Sequence, residues 1–233
     1  MADSSQKTIM LVGAHHDDNE GNVGGTVPQL IAAGWRVVSV VMTNGRWGGG
    51  VVNDDNIKIR NNESLAAGKL LGMEVLFMGF REAGFRATPE ACDAMVETII
   101  EYQPNVIATH PPHDYHFDHM ETSKCVLDAT YLCTTAAMEK GKRAMPRLYY
   151  YDAVYVPFEP DVFVDITEYA ELKADSQRCH ESQIPQAARP DGGIVELARV
   201  RARYRGYESG VKYAEAFRFV PKLGMKRMAK VLE

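Results

Sequence analysis

Short, nearly unbroken apolar runs alternate along the chain with longer segments whose apolar residues recur at helical spacing. Residues 8–13 (TIMLVG), 35–43 (WRVVSVVMT), 74–78 (EVLFM) and 105–109 (NVIAT) have the length of strands. Runs of this kind predict strands covered on both faces, as in a parallel sheet. Between them, residues 21–33 predict a helix ended by Gly34. Residues 58–71 predict another, with Leu65, Ala66, Leu70 and Leu71 on one face and Gly72 at its end. Residues 88–102 predict a third, capped by Thr88 with Pro89 in its first turn. Further on, the pattern predicts a helix over 120–140, strands near 147–153 and 162–166, helices over 167–182 and 193–207, a strand near 214–220 and a short basic helix over 222–232. The βαβα alternation over 8–110 predicts an α/β fold: a Rossmann-like, doubly wound, mainly parallel sheet with helices on both faces, in a single domain over 1–233.

Composition narrows the function classes. The chain has 233 residues, 45% hydrophobic and 24% charged, which is ordinary for a globular protein. Its 26 basic and 31 acidic residues leave a net charge of −5. That balance argues against nucleic acid or an anionic membrane as the main partner. No apolar stretch approaches the ~20 residues of a membrane span. The first apolar run meets histidines and acids after Ala14, so it predicts a buried strand and not a signal peptide. The four cysteines form no C-x-x-C pair, which predicts reduced core thiols and a cytoplasmic setting.

The chemistry is concentrated in two places. Six of the seven histidines fall in AHHDDNE (14–20) and HPPHDYHFDH (110–119). Each segment follows a predicted strand, on the edge of the sheet where ligands bind. Histidine with carboxylate at strand ends suits a borderline cation such as Zn²⁺. His15 and Asp18, three apart on a turn, can face one point, and a histidine of the second segment would complete a three-ligand set. Singly, Asp17 or Asp18 is explained by helix capping, and Asp118 with Glu121 matches a capping box for the helix that follows.

Ala14-His15-His16-Asp17-Asp18-Asn19-Glu20 resembles the AHPDDxE motif of the LmbE/PIG-L zinc-dependent deacetylases, and His116-Phe117-Asp118-His119 resembles their HxDH motif. Arg60-Asn61-Asn62-Glu63 is similar to their RxxE helix. Residues 179–183 (CHESQ) and 210–217 (GVKYAEAF) resemble C-terminal signatures of the branch that includes bacillithiol-pathway deacetylases. The resemblance implies Zn²⁺ on His15, Asp18 and His119, and Asp17 as general base. It implies His116 as acid or oxyanion stabiliser, kept protonated by Asp118 on its other nitrogen. Either Asp17 or His116 would protonate the leaving amine. Arg60 would face the substrate and Glu63 would support the site. The implied substrate is a small N-acetylglucosamine-type sugar or glycoside, and the implied assembly a homo-oligomer, trimer or hexamer. Two departures stand out: His16 replaces the motif's Pro, as an extra ligand or supporting group, and Asn19 replaces a common acid. Arg81 and Glu82 also stand where many relatives carry an Asp.

The loop 44–56 follows the second strand on the same edge, where Arg46 and Trp47 are candidates for sugar contacts, with Tyr115 beside the second histidine cluster. Two rival readings remain open. Two histidines and a carboxylate also describe a non-haem iron(II) oxygenase centre. A Rossmann-like module that only binds a sugar or nucleotide is the other, although no GxGxxG follows the first strand.

Overall fold

The computed structural model describes residues 6–48, 52–140, 145–153, 155–184 and 193–221. Seven strands form one sheet in the order β3-β2-β1-β4-β5-β7-β6: β1 (Thr8–Gly13), β2 (Arg36–Thr43), β3 (Glu74–Phe80), β4 (Val106–Thr109), β5 (Arg147–Tyr151), β6 (Val162–Asp165) and β7 (Ala214–Val220). The first five are parallel to their neighbours, and β7 runs antiparallel between β5 and β6. All six residues of β1 are buried, which explains its unbroken apolar run. Met10 and Val12 pack on one face with Val38, Val40, Met95 and Val126. Ile9 and Leu11 pack on the other with Val23, Val27 and Val37. The sheet is thus covered on both faces, and the doubly wound α/β architecture is the one the alternation predicts.

The helices are α1 (Asp18–Val23), α2 (Thr26–Ala32), α3 (Asp55–Leu71), α4 (Pro89–Tyr102), α5 (Phe117–Glu139), α6 (Ala170–Arg178) and α7 (Gly193–Ser209). The helix expected over 21–33 is two helices, α1 and α2, broken at Gly24-Gly25. A Cβ on Gly25 would lie 2.7 Å from the side chain of Ile166, so the chain passes there only as glycine. The start of α2 is capped from across the fold. Gly25 N–H donates to Glu215 Oε1 at 2.9 Å, and Thr26 donates to Oε2 through its N–H at 2.8 Å and its hydroxyl at 2.6 Å. The Lys173 ammonium sits on the same carboxylate at 2.5 Å.

Two further expectations change. The helix over 167–182 is a 3-10 turn, then α6, then a second 3-10 turn at Glu181–Gln183. On α3, Leu65, Ala66 and Leu70 are exposed, and the buried stripe is Arg60, Ser64, Ala67, Gly68 and Leu71. The reason is close approach: a Cβ on Gly68 would meet Val75 of β3 at 2.5 Å. Cys92, Cys125 and Cys133 are buried free thiols, and Cys179 is half-buried and free. The basic helix expected over 222–232 lies outside the described residues.

From β1 the chain moves outward to β2 and β3, then returns to the other side of β1 for β4 and β5. The strand order therefore reverses between β1 and β4, which opens a crevice at their carboxyl ends. Both histidine segments begin there.

Candidate metal centre

The β1 turn delivers His15, Asp17 and Asp18, and the segment after β4 delivers His110, Asp114, Tyr115, His116, Asp118 and His119. His15 Nδ1 lies 3.1 Å from His119 Nε2 and 3.5 Å from Asp18 Oδ2, and His119 Nε2 lies 3.4 Å from Asp18 Oδ1. A tetrahedral zinc with ligands at ~2.0–2.1 Å needs ligand atoms about 3.3 Å apart. The three residues meet that spacing with the donor types zinc prefers, so they fit the ion.

Each of these histidines is oriented through its other ring nitrogen. His119 Nδ1 lies 2.9 Å from the buried Asp114 carboxylate, and His15 Nε2 lies 3.3 Å from that of Asp118. Carboxylates so placed fix the ring tautomer and raise ligand basicity. Burial opposes charge on His15, but hydrogen bonds to Asp118 and Asp18 outweigh it and lift its pKa to about 10. Burial likewise opposes charge on His119, and Asp18 and Asp114 lift it to about 9. Asp18 is held well below the ordinary carboxylate range; burial resists this, and the His119 and His110 charges prevail. The Nε2 of His110 lies between the Ala14 N–H and Asp18 Oδ2, each at 3.1 Å. Burial and the His119 charge lower its pKa to about 4. Two overlapping donor trios complete the picture: His15, His116 and His119, and Asp18, His110 and His119.

Asp17 borders the cleft beside these donors. Its carbonyl accepts from Gln177 Nε2 at 2.9 Å and from the Gly21 N–H at 3.0 Å. One carboxylate oxygen faces Arg60 Nη2 at 3.4 Å.

Several expected roles are corrected. Asp118 does not hold His116 through its carboxylate. The backbone N–H of Asp118 donates to His116 Nδ1 at 3.2 Å, while the carboxylate takes His15 and the N–H groups of Ala83, Gly84 and Phe85. His116 is accordingly the N-cap of α5, and the capping box expected of Asp118 and Glu121 is not formed. Glu121 instead accepts from the Ala87 N–H. Nor is His116 favoured as imidazolium: burial, then the charges of His15 and His119, lower its pKa.

Arg60 is not part of the cleft lining. It is 3% exposed and braced between Glu82 Oε1, at 2.8 Å, and Asp17. Gly45 and Gly48 pass close against it, since a Cβ on Gly48 would lie 2.6 Å from its side chain. Glu63 accepts from the N–H and hydroxyl of Ser182, tying α3 to the segment after α6. Arg46 pairs with Asp54 on the surface, and Trp47 is 49% exposed, its backbone N–H donating to Glu82. Neither lines the cleft. Tyr115, 53% exposed, does, with its ring edge-on to His116, His119 and Tyr155. His16 turns away from the donors toward Asn61, at 2.8 Å, and stacks on Phe77. Burial and the nearby Arg60 charge lower its pKa to about 3. It supports the turn as a neutral ring and does not join the ligand set.

Three residues of the site escaped the sequence reading. Asp114 was readable from its spacing, D-x-H-x-D-H. Glu82 was noticed as a departure without a role. Gln177 had no local signal.

Fold and site together define a doubly wound α/β protein with a His/Asp centre suited to a divalent cation. The chain belongs to the PIG-L family, described as GlcNAc-PI de-N-acetylase, which matches residues 10–130, just over half of its length. De-N-acetylation is the hydrolysis of an amide C–N bond, and this chain is an enzyme of that class. It is 27% identical over 229 residues to a diacetylchitobiose deacetylase of Thermococcus kodakarensis, covering 92% of this chain and 84% of that one. It is also 23% identical over 192 residues to a 4-oxalmesaconate hydratase of Pseudomonas putida, covering 76% and 74%. Among solved structures, the conserved protein TT1542 of Thermus thermophilus aligns with a TM-score of 0.78 at 26% identity, covering 94% of this chain and 99% of that one.

Proposed function

We propose that this protein hydrolyses the N-acetyl amide of an N-acetylglucosamine-type sugar or glycoside, releasing acetate and the free amine, with zinc held by His15, Asp18 and His119. The observation that carries this reading is the convergence of three donors at zinc-ligand spacing with the Asp17 carboxylate bordering the same cleft. When bound, the ion supplies Lewis acidity that polarises the amide carbonyl and makes water acidic near neutral pH.

The chain's own residues do the rest. Asp17, held through its carbonyl and faced by Arg60, accepts the proton of the attacking water. His116 accepts an N–H at Nδ1, so its neutral form carries its proton on Nε2, where it can donate to the developing oxyanion. Asp17, having taken the water's proton, returns it to the amine as the C–N bond breaks. Tyr115 forms an aromatic wall for the sugar ring. Cytoplasmic placement and a homo-oligomeric state belong to the same reading. Among the described residues, no helix is long and apolar enough to cross a membrane.

The test is acetate release from N-acetylglucosamine and its glycosides, with metal analysis, with and without chelator. Chelator-sensitive release with about one zinc per chain is expected. Absence of metal and acetate, with no recovery on adding zinc, overturns the reading.

A further inference from the structure

One face of α3 is closed against the fold and carries Arg60, which braces Asp17. The opposite face is open. Ile59, Leu65 and Leu70 are 46%, 49% and 44% exposed, and Asn62 and Ala66 between them are exposed as well. Ile31 of α2 continues the row, since a Cβ on Gly72, at the end of α3, would lie 3.6 Å from its side chain. Lone exposed apolar residues are ordinary, whereas a row of them along one helix marks a contact surface.

The charges on this face name the partner. Asp55 lies in the first turn of α3 and Lys69 in the last, each seven residues from Asn62. Seven residues are two turns, so both side chains leave the helix on the side of Asn62. The ion pairs of this region are Arg46 with Asp54, and Arg60 with Asp17 and Glu82. Among the described residues, Asp55, Lys58 and Lys69 take part in none. A helix face with an acid two turns before its midpoint and a base two turns after it is complementary to itself in the antiparallel direction. A partner of one charge sign would satisfy one end and be repelled at the other.

We propose that the open face of α3 is the contact with a second copy of this chain, the two α3 helices running antiparallel about a two-fold axis at Asn62. In that arrangement Asp55 reaches the partner's Lys69 at both ends of the contact. Ile59 packs on the partner's Ala66, and Leu65 lies under the aliphatic stem of the partner's Lys58. Such a contact is isologous: it joins copies in pairs, so the assembly holds an even number of chains. The inference deepens the homo-oligomeric part of the proposed reading and does not depend on the substrate.

The experiment measures mass by light scattering over a dilution series, for variants that keep the wild-type circular dichroism. Wild type is expected to hold an even number of chains, and Ile59→Glu with Leu65→Glu to halve that number. Asp55→Lys and Lys69→Asp, each alone, set like charges opposite one another and are expected to raise the dissociation constant about tenfold or more. Asp55→Lys and Lys69→Asp together restore it. That rescue separates contact from structure, because the double reversal opposes the helix dipole at both ends and a merely structural role would make it the weakest of the three. If the glutamate variant does not fold, the charge reversals decide. An even-numbered wild type whose mass none of these changes moves, or a double reversal that restores nothing, overturns the α3 contact alone. So does a wild-type trimer. A monomeric wild type overturns the contact and the homo-oligomeric reading together.

Discussion

Two buried ionic groups in this fold are built on opposite plans. At Lys173 and Glu215, each carboxylate oxygen meets donors: an ammonium, two backbone N–H groups and a hydroxyl. At the ends of β1 and β4, two histidine nitrogens and a carboxylate face one another with no lysine or arginine among them, while a second carboxylate stands behind each ring. The first cluster is complete without a ligand and holds the α2 start in place. The second collects lone pairs toward one point, which is an arrangement a cation resolves. Burial and charge density do not separate a binding site from a structural pair. The direction of the hydrogen bonds does.

That contrast can be attacked by substitution. His119→Ala should leave the purified protein without metal and lower acetate release by more than about 10³-fold, read by elemental analysis and turnover. Asp17→Asn should lower kcat by about 10²–10⁴-fold while the metal stays, and retained turnover would remove Asp17 as the base. Asp114→Asn should weaken metal affinity by about 10–100-fold, measured by competition with a chromophoric chelator. Glu215→Ala should cost about 3–5 kcal/mol in denaturant unfolding, because it leaves the Lys173 ammonium buried alone. Its metal content should remain near one per chain. Loss of metal without loss of stability would erase the distinction between the clusters. The smallest effect is expected for Arg46→Ala, which breaks an exposed pair with Asp54 and should change stability by less than about 1 kcal/mol.

Strands with apolar residues on both faces were legible because nothing else explains such runs: β1 begins and ends where the pattern places it. Clustering made the histidine segments legible as a site. What the chain order could not supply was the partner of each group. Asp118 adjoins His116 by spacing, yet its position inside the first turn of α5 aims its carboxylate at His15 and the loop after β3. Arg60 occupies a motif position, but α3 packs through that same face, so the guanidinium is enclosed. Arg201 lies in an arginine-rich helix where nothing local separates it from Arg199 or Arg203, which make surface contacts. Only the packing of α7 beside α1 does so.

Gln177 holding the Asp17 carbonyl has a consequence for how this scaffold can change. The residues proposed to hold the metal and act on the amide lie before position 120, whereas Gln177, which holds the Asp17 carbonyl, and Arg201, which borders the cleft, come from the last third. Exchange of that last third between relatives would alter which glycosides enter while leaving the reactive groups intact. A graft that lost Gln177 would also loosen the base, so novelty in substrate and retention of rate are inherited through the same few residues.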